Sequence, residues 1–224
     1  MSDMNLNACS RIMEVLMELE KQSALERSGS INIPHEDSML AITSDTGKFF
    51  NILISSMNAT KILEVGTSVG YSTLWIAYSF YQNRGNSSLL KNNIITIDNN
   101  PLKINKAKTN FKNAGVNDII EIIEGNAIEI LKQLSNKVNE NPDDKNQYFD
   151  FIFLDADKEN LTEYFDLALS MIKKGGIIVT DNVLYPEEYR PTMSKYIEYI
   201  RKIDFVQSVT VPIGYGEEIS QKIR

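Results

Sequence analysis

Apolar and polar positions along this chain change period near residue 60. Before it, apolar residues recur at helical spacing: Ile12, Val15, Leu16 and Leu19 share one face of a helix predicted over residues 8–27, with charged residues between them. After the turn-like stretch SGSINIPHED, a second helix is predicted over 45–57, its apolar face formed by Phe49, Phe50, Leu53 and Ile54. From residue 60, short β-rich runs alternate with amphipathic stretches. TKILEVG (60–66) precedes YSTLWIAYSFY, and NIITID (93–98) precedes PLKINKAKTNFKNAG, whose Pro101 suits a first helical turn and whose Gly115 suits a C-terminal cap. IIEIIEG (119–125), YFDFIFLDA (148–156) and GIIVTDN (176–182) each precede a further helix, over NAIEILKQLSNKV, over ENLTEYFDLALSMIKKGG and near 191–202.

Five such units predict an α/β fold, a parallel sheet covered by helices on both faces. The ending departs from the alternation. FVQSVTVPI and EEISQKI are separated only by a short glycine-bearing turn, a spacing that predicts an antiparallel hairpin. Two polar stretches, 82–93 and 136–147, each fall between a helix and the next strand and read as surface loops. A single domain over 1–224 is expected, with helices over 1–58 covering the site and 59–224 forming the core.

Composition narrows the chemistry. The 224 residues are 42% hydrophobic and 24% charged, enough for one large core. The formal charge is −7, with no basic block able to track a phosphate backbone, which disfavours nucleic acid as a partner. The first residues lack a basic start followed by an apolar run, and no run of about 18 apolar residues occurs. A soluble, cytoplasmic protein without a membrane partner is expected. One cysteine, Cys9, excludes an internal disulfide, and one histidine, His35, leaves little scope for histidine-based triads or metal sites. Carboxylates, amides and lysines must carry the chemistry.

In an open parallel sheet, ligands bind beyond the carboxyl ends of the strands. Those ends are polar here: Glu64 to Gly70, Asp98, Asn126 with Ala127, Asp155 to Lys158, and Asp181 with Asn182. The loop EVGTSVGYS places two glycines at a tight turn and opens a helix near Ser72, whose free N–H groups favour an anion. Ser68 stands at the middle glycine position of a dinucleotide fingerprint. Asp98, closing the second strand, is placed to accept hydrogen bonds from ribose hydroxyls. Glycine loop and acid together favour an adenosine-containing cofactor, and the degenerate loop with the antiparallel ending favours S-adenosyl-L-methionine over a dinucleotide.

Asp155 ends the fourth strand, and Asp181 with Asn182 ends the fifth. If those strands are neighbours, the three oxygen donors lie about one strand spacing, roughly 5 Å, apart. An all-oxygen set suits a hard divalent cation, Mg²⁺ first, with Mn²⁺ and Ca²⁺ as alternatives. Lys158, three residues beyond Asp155, loses proton affinity beside a cation and becomes a general base. Asp157 is expected to cap the following helix or to support the site from behind.

EVGTSVGYS, IDNNP, FDFIFLDADKEN and GGIIVTDNVLYP resemble the cation-dependent O-methyltransferases of the catechol and caffeoyl-coenzyme A type, including their small bacterial members. The resemblance spans most of the chain, and its most specific part is DADK followed 26 residues later by DN. It implies a Rossmann-like class I methyltransferase fold, with a mostly parallel seven-stranded sheet and an antiparallel C-terminal hairpin. It implies a cation held by Asp155, Asp181 and Asn182, proton abstraction by Lys158, and cofactor contacts from Ile42, Glu64, Gly66, Thr67, Ser72, Asp98, Ala127 and Asp155. The implied acceptor is a small phenol with a vicinal oxygen, and the implied assembly is a homodimer. Two positions depart from the family near the acceptor: Tyr215 between Gly214 and Gly216, where an aspartate is common, and Tyr185 in place of a tryptophan. Two other readings stand beside this one: methylation of 5-hydroxyuridine in transfer RNA, with Lys103, Lys106, Lys108 and Lys112 as a local basic face, and a cofactor-binding regulator without turnover.

Overall fold

A computed structural model describes residues 3–31, 33–34, 38–84 and 93–224. His35 and most of the polar stretch 82–93 therefore lie outside the described residues. Seven helices and seven strands are described: α1 (Asp3–Arg27), α2 (Ser44–Met57), β1 (Ile62–Val65), α3 (Tyr71–Arg84), β2 (Ile94–Asp98), α4 (Pro101–Ala114), β3 (Ile120–Glu124), α5 (Ala127–Glu140), β4 (Phe149–Leu154), α6 (Leu161–Met171), β5 (Ile172–Thr180), α7 (Arg190–Arg201), β6 (Val206–Val211) and β7 (Glu217–Lys222).

The chain divides into two compact units. One comprises residues 1–58 and 67–124. Its β2 and β3 pair in parallel, Ile94 opposite Ile120 through Asp98 opposite Glu124. The stripe Ile12, Val15, Leu16 and Leu19 is buried as its spacing requires, and α1 packs on α3 and α4 while α2 packs on α3. The Thr43 hydroxyl accepts the Thr46 N–H and caps α2. Asn100 caps α4 by accepting from Leu102 and Lys103, and Gly115 ends it in the left-handed conformation.

The other unit comprises residues 59–66 and 125–224. Its strands follow the order β1-β4-β5-β7-β6. β1, β4 and β5 are parallel, whereas β7 runs antiparallel to both β5 and β6, so the expected hairpin is present. The core strand FDFIFL is buried at every position but Asp150. That carboxylate accepts from the Thr60 N–H at 2.7 Å, the Thr60 hydroxyl at 2.8 Å, the Lys61 N–H at 3.0 Å and Lys173 Nζ at 2.7 Å. One side chain thus ties the start of β1 to β4 and β5.

Two boundaries differ from expectation. The helix expected over 159–176 ends at Met171, and β5 starts at Ile172. Ile172 already pairs with Phe149 while Ile177 pairs with Phe151, so the KKGG residues form a bulge. Strand pairing and the Lys173–Asp150 ion pair override the helical propensity of MIKK. The polar stretch 136–147 is a loop only in part, because α5 continues to Glu140 with Val138 buried on its inner face.

Candidate active site

Leu154 of β4 lies opposite Thr180 of β5, so Asp155 and Asp181 leave the sheet on adjacent strands, as the metal reading requires. The backbone holds both: the Asp155 N–H donates to the Val65 carbonyl at 2.9 Å, and the Asp181 N–H to the Leu154 carbonyl at 3.2 Å. Asp181 is 2% exposed. Its carboxyl is pushed up to about 7 by burial and then by the negative charge of Asp155, against the opposing pull of Lys158, a hydrogen bond with Glu217 and the Asn182 N–H. Asn182 follows at φ 66°, a left-handed conformation that asparagine tolerates better than most residues. Lys158 Nζ stands 3.4 Å from an Asp155 oxygen, its side chain only 10% exposed.

This arrangement fits a divalent cation. Two carboxylates brought together with one of them fully buried repel each other, and Asp181 answers by holding a proton near neutral pH. A cation between them would remove that cost. Among the described residues no cluster of three or more His, Cys, Asp or Glu side chains is arranged to hold a metal. The candidate set therefore remains Asp155, Asp181 and the amide of Asn182.

Asp157 bonds to the residues that open α6, whose cap position is Asn160. It accepts from the Asn160 N–H at 3.1 Å and the Asn160 side-chain amide at 2.7 Å, and from the Tyr164 hydroxyl. These bonds secure the first turn of α6. Glu217 is not among the expected site residues, and it and Glu218 are fully buried. Beyond Asn182, Tyr185 is 57% exposed and stacks on Tyr215 with ring centroids 5.7 Å apart. The Leu184 and Tyr185 N–H groups both donate to the Tyr215 carbonyl, at 3.1 and 3.0 Å. The two departures from the family pattern are therefore one feature.

Among the expected cofactor residues of this unit, Glu64 is fully buried on β1 and Ala127 is the first residue of α5, whose cap is Asn126. Gly66 has φ 109°, and a Cβ there would come within 2.0 Å of the Asp155 carbonyl oxygen. Only glycine lets the loop pass so close.

The remaining expected cofactor residues belong to the first unit. Thr67 is fully buried, its hydroxyl 2.6 Å from that of Thr96. Gly70, at φ 85°, abuts Phe111, and α3 opens directly after it, with Ser72 in its first turn. Asp98 is not the cap of α4. One of its oxygens accepts the Asn100 N–H at 2.8 Å and the other the Ser68 N–H at 2.7 Å, so the acid is turned to the glycine loop. Ile42 is buried beside a cavity of about 120 Å³ that Glu20, Ser23, Arg27, Met39 and Tyr71 also line. On α4 the four lysines do not share one face. At 100° per residue, Lys103 and Lys106 fall on one flank of the buried stripe Ile104, Ala107, Phe111 and Ala114, and Lys108 and Lys112 on the other.

Comparison with known proteins places the chain among its relatives. The chain is 32% identical over 162 residues to a catechol O-methyltransferase of Mycobacterium tuberculosis, covering 72% of this chain and 64% of that protein, so the match spans less than two thirds of the relative. It is 30% identical over 232 residues to a caffeoyl-CoA O-methyltransferase of Eucalyptus gunnii, covering 95% of this chain and 86% of the relative. The crystal structure of an O-methyltransferase from Bacillus cereus in complex with SAH superposes with a TM-score of 0.71 at 28% identity, covering 93% of this chain and 90% of that one. The fold is thus that of the class I methyltransferases, a mostly parallel seven-stranded sheet with antiparallel C-terminal strands and helices around it. A family model described as O-methyltransferase matches residues 13–216, and the chain belongs to that family.

Proposed function

We propose that the chain is an S-adenosyl-L-methionine-dependent, divalent-cation-dependent O-methyltransferase acting on a phenolic hydroxyl that has a vicinal oxygen. The observation that carries this reading is the pairing of Asp155 and Asp181 on adjacent strand ends with Lys158 beside them. The names of its relatives, catechol and caffeoyl-CoA O-methyltransferases, support the acceptor class.

Asp155, Asp181 and Asn182 would hold the cation, with Mg²⁺ as the first candidate. When bound, the cation lowers the pKa of a coordinated hydroxyl and the sulfonium cofactor supplies the methyl group. Lys158, three residues past Asp155 and largely shielded from water, takes the hydroxyl proton at Nζ. Gly66 admits the loop backbone, and Asp98 presents a carboxylate to ribose hydroxyls. Most of the rate gain assigned to the fold is alignment of two bound reactants, about 7–11 kcal/mol for well-oriented pairs. The flat Tyr185–Tyr215 stack favours planar aromatic acceptors.

The test is methyl transfer over a panel of catechols, caffeoyl thioesters, flavonoids and hydroxylated RNA, each with and without Mg²⁺. Transfer to a vicinal phenol supports the proposal, and transfer only to RNA moves it to the transfer-RNA reading. Binding of the cofactor without any transfer leaves the regulator reading. A homodimer in the cytoplasm completes the proposal, and light scattering of the purified chain tests the assembly. No helix among the described residues is long and apolar enough to cross a membrane.

A further inference from the structure

Ser68 occupies the middle glycine position of the loop, and its φ of 47° lies in the left-handed region that glycine adopts freely and serine does not. Two hydrogen bonds hold it there. Its N–H donates to Asp98 Oδ2 at 2.7 Å, and its hydroxyl donates to the Met39 carbonyl at 2.7 Å. The other side of Met39 is held as well, its N–H donating to Glu26 Oε2 at 2.8 Å. The segment 38–42 is thus pinned between the end of α1 and the glycine loop. Met39 and Ile42 are also buried, and both line a cavity of about 120 Å³.

We propose that Ser68 is a positioning residue: its hydroxyl fastens segment 38–42, and Ile42 with it, to the loop that presents Asp98, so that cofactor binding and the placement of this segment are coupled. The inference rests on the reading that this loop and Asp98 hold S-adenosylmethionine. A glycine at this position would satisfy the backbone better but would release Met39. Serine is therefore explained by its side chain, not by its backbone.

The test compares wild type with Ser68→Gly and Ser68→Ala, measuring S-adenosylhomocysteine affinity by calorimetry and amide exchange over 38–44 with and without that ligand. Releasing the segment in the free chain makes binding carry the cost of ordering it again, which predicts affinity weakened about three- to tenfold in both variants. The ligand should protect 38–44 in wild type and much less in the variants, while ligand-free Ser68→Gly melts no lower than wild type. Ser68→Gly binding as tightly as wild type, with equal protection of 38–44, overturns the proposal alone. Failure of wild type to bind S-adenosylhomocysteine overturns the cofactor reading and the proposal with it.

Discussion

Asp181 and Lys158 concentrate the chemistry at the residue scale. A carboxyl raised to about 7 binds a proton in the folded chain that the unfolded chain releases near pH 4. Its contribution to cation-free stability therefore falls as pH rises from about 4 to about 7 and is flat above. A cation must displace that proton, so apparent Mg²⁺ affinity should rise about tenfold per pH unit below 7 and level off beyond it. Calorimetric titrations between pH 5.5 and 8.5 check this, and an affinity independent of pH across that range would contradict it. Lys158→Ala should keep S-adenosylhomocysteine affinity while lowering turnover by about 10²–10⁴-fold, the usual share of a general base. Single-turnover assays at saturating cofactor measure it, and undiminished turnover removes Lys158 from the mechanism.

Strand ends and their anchors decide the outcome at the element scale. Gly66→Ala would set a methyl group within 2.0 Å of the Asp155 carbonyl. A backbone group cannot step aside as a side chain can, so a loss of at least about 1–3 kcal/mol is expected, together with weakened cofactor binding. Urea unfolding measures the first and calorimetry the second. Asp150 is held below the usual carboxylate range: burial opposes its ionisation, and hydrogen bonds from Lys173, Thr60 and Lys61 outweigh that. Its stabilisation is present above about pH 4 and lost as pH falls through the lowered value. Asp150→Asn should therefore cost about 1–3 kcal/mol at pH 7, and the gap to wild type should close toward pH 3. A gap that stays constant with pH would show that the charge is not what matters.

At the scale of the whole molecule, the fold class was legible because each strand–helix unit carries its own punctuation: Pro101 and Gly115 around α4, Asn126 ahead of α5, and a glycine turn after β1. That Asp155 and Asp181 end strands was legible too, since both follow apolar runs, whereas the adjacency of those strands was a condition that the β4–β5 register meets. What stayed hidden depends on tertiary placement. The start of β5 lies in MIKK, whose local preference is helical until Phe149 and Asp150 supply partners. Glu217 is fully buried although glutamate is mostly an exposed residue, and residue type alone does not foretell it. Ser68 was visible as a departure from a glycine motif, but its partner Met39 is 29 residues away and no spacing rule connects them.

Cation-dependent methyl transfer is the central claim, and one measurement addresses it most directly. The purified chain is stripped with EDTA and assayed for transfer from S-adenosylmethionine to catechol and to a caffeoyl thioester, before and after Mg²⁺ is restored. A cation worth several kcal/mol in the transition state predicts a rate lowered at least about 100-fold by stripping and recovered on restoring Mg²⁺, with no recovery in Asp155→Ala. Transfer at the full rate in excess EDTA would contradict the claim, as would the absence of transfer to either acceptor with Mg²⁺ present.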